Sequence, residues 1–247
     1  MKTRSLNNAI GLGSVCALVM AVGASDMNAY ASTPTLATVP IENVYVPTGF
    51  DANDNAEVIV HGFLPNLCHK SPQTKIEVKG NRIDIKVEAL NYESDNPFCA
   101  PLVVPFVQAI SLGVLDKGNY NIHVNNNTVY QREAGIQIAE SNSDAVDEHI
   151  YAAVEYVDRT DDRKVVLKGY NPSDCLELEE IQVISNNKDT YSILPKMRQT
   201  SSFCPMKMVP FEYEMEVPNT IQRDKVLLHV RAMQGKAVNS LYFNKAQ

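Results

Sequence analysis

The chain has 247 residues and is acidic, with 29 Asp and Glu against 22 Lys and Arg and a formal net charge of −7. That balance argues against nucleic acid or an anionic membrane surface as partner, since both need a basic face. Five cysteines and no tryptophan complete the first constraints.

Residues 1–31 read as a secretory signal. Lys2 and Arg4 give a positive start, Ala9 to Ala24 is apolar and uncharged, and Ala29-Tyr30-Ala31 is a small-x-small cleavage site. The apolar run is short and broken by glycine, so it is not read as a membrane anchor, and Cys16 inside it is not read as a lipid-attachment site. Four cysteines follow the cleavage point, an even number that implies disulfides in an exported protein. The expected location is the periplasm or the extracellular space.

Ser32 to Pro40 is expected to be a loose tail. A first domain is expected over 41–138, a linker over 139–148 and a second domain over 149–247. Alternating strands are predicted at Lys75 to Lys79, Arg82 to Glu88 and Tyr120 to Val124. Lys79-Gly80-Asn81 forms a hairpin turn, and Asn125-Asn126-Asn127 turns into a strand at Thr128 to Gln131. In the second domain, strands are predicted at Ile181 to Ile184, Thr190 to Leu194, Val226 to Val230 and Val238 to Phe243. Gly235 turns the last hairpin, and Ser185 to Asp189 takes the place of Lys79 to Asn81.

One unit occurs twice. Gly62, Pro65 and Cys68 recur 107 positions later as Gly169, Pro172 and Cys175. Phe98, Cys99, Pro105 and Phe106 recur 105 positions later as Phe203, Cys204, Pro210 and Phe211. His123 recurs 106 positions later as His229. Rare residue types keep their spacing while polar stretches change length, as loops do at little cost. The period is that of a domain, not a solenoid repeat. Of the three pairings open to four cysteines, the duplication selects Cys68 with Cys99 and Cys175 with Cys204. Gly62 and Pro65, like Gly169 and Pro172, are expected to end a strand and turn the chain. About seven short strands per copy give an all-β protein of two tandem β-sandwiches.

The Gly62-Phe63-Leu64-Pro65-Asn66-Leu67-Cys68 run, Cys99, Pro105-Phe106 and Gly118-Asn119-Tyr120-Asn121-Ile122 resemble an immunoglobulin-like β-sandwich module carried by exported bacterial proteins. The second copy departs from the pattern at Asn171 and at Lys225-Val226-Leu227. The resemblance implies fold and compartment; it supplies no catalytic residues.

Met206 and Met208, with Met197 and Met215 nearby, are thioethers suited to copper(I). They fall opposite Pro101 and Val103 of the first copy, so core packing is the expected role. Asp51, Asn53 and Asn55 alternate like the start of a calcium loop, but Ala56 and Gly62 stand where glycine and glutamate are required. Asp158 to Asp162 is the equivalent acidic loop, and both are expected to be solvated turns. His123 and His229 should face outward or into a rim, opposite the apolar Ile122, Val124, Leu228 and Val230. Glu177, Glu179 and Glu180 are expected on a solvated strand face. No nucleophile elbow, zinc-protease helix or phosphate loop occurs, and no cofactor is expected.

The sequence therefore predicts a non-enzymatic exported module that recognises a protein or glycan partner by loops or a sheet edge. One alternative is an inhibitor of a secreted hydrolase, with the Asn91 to Pro97 loop entering the target. The other is a periplasmic copper- or calcium-binding protein.

Overall fold

The computed structural model describes residues 33–96, 98–143, 145, 147–160 and 163–243. Residues 1–31, expected to be a secretory signal, lie outside them, Cys16 included. The described chain is all-β, apart from one short 3-10 turn at Glu93–Asp95.

The first half holds β1 (Thr35–Thr38), β2 (Ile41–Tyr45), β3 (Phe50–Asp51), β4 (Asn55–Leu64), β5 (His69–Lys79), β6 (Arg82–Asn91), β7 (Val104–Val114), β8 (Gly118–Val124) and β9 (Arg132–Ala139). One sheet runs β1-β6-β8-β9-β3 with β5 on the far edge of β6, and the other runs β2-β4-β7. The apolar alternation read from the sequence fills the space between them: Ile83, Ile85, Val87, Ile122 and Val124 meet Val44, Val58, Val60 and Ile110. This is a β-sandwich.

The second half repeats the plan with β10 (Ile150–Tyr151), β11 (Val154–Arg159), β12 (Lys164–Asn171), β13 (Leu176–Ser185), β14 (Thr190–Gln199), β15 (Val209–Glu216), β16 (Lys225–Ala232) and β17 (Lys236–Phe243). Its sheets run β10-β14-β16-β17, with β13 on β14, and β11-β12-β15. The duplication extends to strand register. β6 pairs in parallel with β8 so that Asp84 faces His123, and β14 pairs in parallel with β16 so that Ser192 faces His229. In each half one disulfide ties the start of the long hairpin to the segment before the third strand of the smaller sheet. Cys68–Cys99 spans 5.5 Å and Cys175–Cys204 5.8 Å between Cα atoms.

Three expectations about the fold are corrected. The stretch expected as a tail is ordered: Thr35–Thr38 pairs antiparallel with Glu88 to Asn91, and Val39 is fully buried. β8 covers only Arg82 to Ile85 of that edge of β6 and leaves room for β1 beyond it. Asn125 bridges the join, its amide donating to the Val39 carbonyl and its Oδ1 accepting from the Val87 N–H. Thr128 to Gln131 is turn rather than strand, because Asn125 and Asn127 both take positive φ and the chain doubles back before Arg132. Gly62 and Gly169 do not end their strands. Each lies inside one, where a Cβ would stand 2.5 Å from the Pro40 carbonyl oxygen, or 2.1 Å from that of Ala153, and against the ring of Phe106 or Phe211. Glycine recurs there because backbone and the phenylalanine ring repeated in each half close over it.

Among the described residues no strand pairs across the halves, but the chain from Pro34 onward is one unit. Tyr45, Ile59, Leu227 and Leu241 form a small apolar core between them. The Ser185 to Asp189 turn docks there. Asn186 caps its own turn with Oδ1 and donates from Nδ2 to the Val46 carbonyl, while Asp189 accepts from Asn43. The shorter Lys79 to Asn81 turn of the first half has no such role, and its Gly80 stands in open space.

Candidate binding surface

Two kinds of polar or exposed feature stand out, and they lie in different places. The first is a buried polar junction between the halves. The second is a set of exposed apolar segments beside the disulfides.

At the junction, Arg231 of β16 reaches out of its own half. Its guanidinium donates to Asp54 Oδ2 and to the Gly49 carbonyl, each at 2.6 Å, and lies 4.7 Å from the Phe50 ring. The side chains of Arg231 and Asp54 are only 8% and 3% exposed. Burial alone would lower the guanidinium's affinity for its proton, but the Asp54 charge overrides this and holds it above its usual value. His229, two residues back on the same face, is buried against the Phe50 ring with Nδ1 2.9 Å from Asn239 Oδ1 and 3.3 Å from Glu57 Oε1. Burial pushes Glu57 up, yet the hydrogen bonds from His229 and Asn239 and the His229 charge leave it below the ordinary carboxylate range. Asp51 behaves oppositely. Burial first, and then the neighbouring Asp54 carboxylate, raise it to about 7.

The junction revises two readings. The outer face of β16, where His229 sits, is not solvent but the seat of the first half. His123, its counterpart, remains at a rim 3.5 Å from Glu133. The Asp51 to Glu57 loop is not simply a solvated turn. Asp54 and Glu57 face the second half, Asn53 donates to the Ser143 and Ala145 carbonyls, and Asn55 accepts from Ser111. Among the described residues, no three His, Cys, Asp or Glu side chains gather as a metal site. In the equivalent loop, Asp158 pairs with Lys168, while Asp161 and Asp162 lie outside the described residues. Sequence reasoning missed Arg231. One signal was available: at the position 106 residues after Asn125, the duplication puts arginine for asparagine.

The exposed segments flank the second cysteine of each half. In the first, Phe98 is 88% exposed, and Leu102, Val103 and Leu67 are exposed too. The Leu67 N–H donates to the Ala100 carbonyl, which joins the two sides of this patch. In the second, Phe203, Met206 and Met208 are exposed, Met206 to 95%, and the Lys207 N–H donates to the Pro172 carbonyl. Met206 and Met208 therefore do not pack in the core. The apolar residues opposite them, Pro101 and Val103, are exposed as well, so the alignment was sound and the inference from it was not. Met197 packs inside, and Met215 is partly buried against the same core. Each of the five histidines has its contacts elsewhere: His61 with Glu42, His69 with Asn66, His123 with Glu133, His149 with the Tyr151 ring and His229 with Glu57.

The Asn91 to Pro97 loop, of which Pro97 lies outside the described residues, is tied down. Glu93 accepts from Asn66 at 2.5 Å and from Asn91, and the Tyr92 N–H donates to the Cys68 carbonyl. Glu177 and Glu180 pair with Arg198 and Lys196 on an exposed strand face.

A family model described as ORF11 beta-sandwich domain matches residues 58–133. The matched stretch runs from within β4 into β9 and includes the Cys68–Cys99 disulfide. No curated protein and no solved structure matches the chain. No helix among the described residues is long and apolar enough to cross a membrane.

Proposed function

We propose that the protein is a non-enzymatic exported module that holds a protein partner through the two disulfide-anchored apolar segments. The observation that carries this reading is their recurrence. Both halves present a large aromatic and two further apolar side chains to solvent at the same place in the fold, Phe98, Leu102 and Val103 in one and Phe203, Met206 and Met208 in the other. Exposed apolar clusters of this kind are costly to keep unless something covers them. The disulfide at the root of each segment restricts it in advance, and a restricted loop binds at lower entropic cost. Aromatic and methionine side chains suit a protein partner better than a glycan held by polar groups. Two disulfides fit an oxidising compartment outside the cytoplasm.

The test is capture from the organism's own envelope and culture fractions by the oxidised protein, with metal content assayed on the same sample. A saturable protein partner, lost when Phe98 and Leu102 are replaced by serine, supports the reading. Stoichiometric copper or calcium without a partner overturns it.

One observation favours inhibition of a hydrolase as a second reading. The Asn91 to Pro97 loop is tied down by Glu93 in the first half alone, since the span between the cysteines of the second half is two residues shorter and forms no 3-10 turn. An activity assay on the captured partner separates the two.

A further inference from the structure

β7 is an edge strand of eleven residues that pairs with β4 on one side only. Its sequence, Val-Pro-Phe-Val-Gln-Ala-Ile-Ser-Leu-Gly-Val, carries no charge. Among the described edge strands longer than five residues it is alone in this. β5 carries Lys70, Lys75 and Lys79, β13 carries Glu177, Glu179 and Glu180, and β17 carries Lys236. The contrast is sharpest with β15, its counterpart in the duplication, whose outward row is Glu212, Glu214 and Glu216 where β7 shows Val107, Ala109 and Ser111. Charges on an edge are the usual guard against pairing with another strand. β15 has these charges and β7 has none; β7 shares a proline with β15, Pro105 against Pro210, and its register with β4 shifts between Ser111 and Gly113.

We infer that β7 pairs antiparallel with β7 of a second copy about a two-fold axis, joining two three-stranded sheets into one of six. This goes beyond the partner-binding reading and does not depend on it. Charge selects the occupant. Across a two-fold axis each edge meets its own sequence, so a charged edge would meet its own sign, and on a chain of net charge −7 the uncharged edge is the one that can. Geometry then selects the register. Paired residues must share a face, so the axis passes through a residue and not between two. Centred on Gln108, it sets Val107 against Ala109 of the second copy and Phe106 against Ile110. The two Gln108 side chains then face each other. Gln108 Oε1 is buried without a hydrogen-bond partner, and an amide is self-complementary, donor to acceptor, with its own copy.

The experiment is sedimentation velocity on the full chain with both disulfides formed, over a range of concentrations. The expected result is a concentration-dependent dimer. Val107→Lys with Ala109→Lys places lysines opposite one another and should weaken association at least about tenfold. Val107→Lys with Ala109→Glu places opposite charges together and should restore it. Glu214→Lys on β15 should leave it unchanged. Circular dichroism melting of each variant checks the fold, and hydrogen exchange of the β7 amides at low and high concentration gives a readout that needs no substitution. A monomer at every concentration overturns the inference, as does a dimer indifferent to both lysines or a β7 whose exchange does not slow as concentration rises.

Discussion

Replacing Arg231 by methionine should reveal how the two halves are held together. Methionine keeps most of the length and apolar bulk of the side chain but removes the charge and every donor. Asp54 would then be left 3% exposed with a single backbone donor, the Asp51 N–H at 2.9 Å. Breaking a buried ion pair by removing one partner costs roughly 3–5 kcal/mol. A buried carboxylate stripped of its cation escapes by taking up a proton. That limits the penalty to about 1.4 kcal/mol for each pH unit above the ordinary Asp value, or about 4 kcal/mol at pH 7 and about 1.5 kcal/mol at pH 5. The loss should therefore shrink on acidification. The chain has no tryptophan, so urea unfolding would be followed by circular dichroism and tyrosine emission. Adding Asp54→Leu removes the orphaned charge and should recover part of the loss at pH 7. A penalty below about 1 kcal/mol at pH 7, or the same penalty at both pH values, would refute the reasoning.

Gly62→Ala should destabilise by about 2–3 kcal/mol or more, because its Cβ would stand 2.5 Å from a carbonyl oxygen, whereas Gly118→Ala, with its nearest neighbour at 3.7 Å, should be close to neutral in the same titration. Removing Cys68–Cys99 by a double serine substitution should cost roughly 3–4 kcal/mol for a loop of this length, and Cys175–Cys204 about the same, read as shifts in the urea midpoint. Asp51 gives a pH dependence of opposite sense to the usual carboxylate. Its folded pKa, about 7, lies above the unfolded value, so its contribution to stability is fully present below pH 4 and is lost as pH rises through 7. Asp51→Asn should flatten stability between pH 5 and 8 and raise it at pH 8; a profile parallel to that of the parent chain would exclude this role.

The duplication made most of the fold legible. Fixed offsets of rare residues located both disulfides and both hairpins, and period-2 alternation in Arg82 to Glu88 and Val226 to Val230 marked strands whose inner rows form the cores. What the alternation could not say was what covers an outer row. His123 and His229 have the same local sequence environment, yet one lies at a rim and the other under Phe50, because the difference comes from a segment more than a hundred residues away. Met206 and Met208 failed for a related reason. Apolar type was taken as inward direction, but residues 203–208 have no strand period to fix a direction, and the disulfide holds them outside the sandwich. Gly62 was located correctly and given the wrong reason, since composition near a turn cannot distinguish a strand end from a point where backbone closes on backbone. The edge character of β7 was also readable as an uncharged run, but only the pairing pattern shows that one side of it is open.

The most direct test of the binding reading is site-specific photocrosslinking in the producing organism. A photoreactive side chain would replace Phe98 in the first half, Met206 in the second, and, as a control, Glu214 on the exposed face of β15. The account predicts one saturable crosslinked protein from positions 98 and 206 and none from 214. No adduct at either segment, or the same adducts at all three positions, would contradict it.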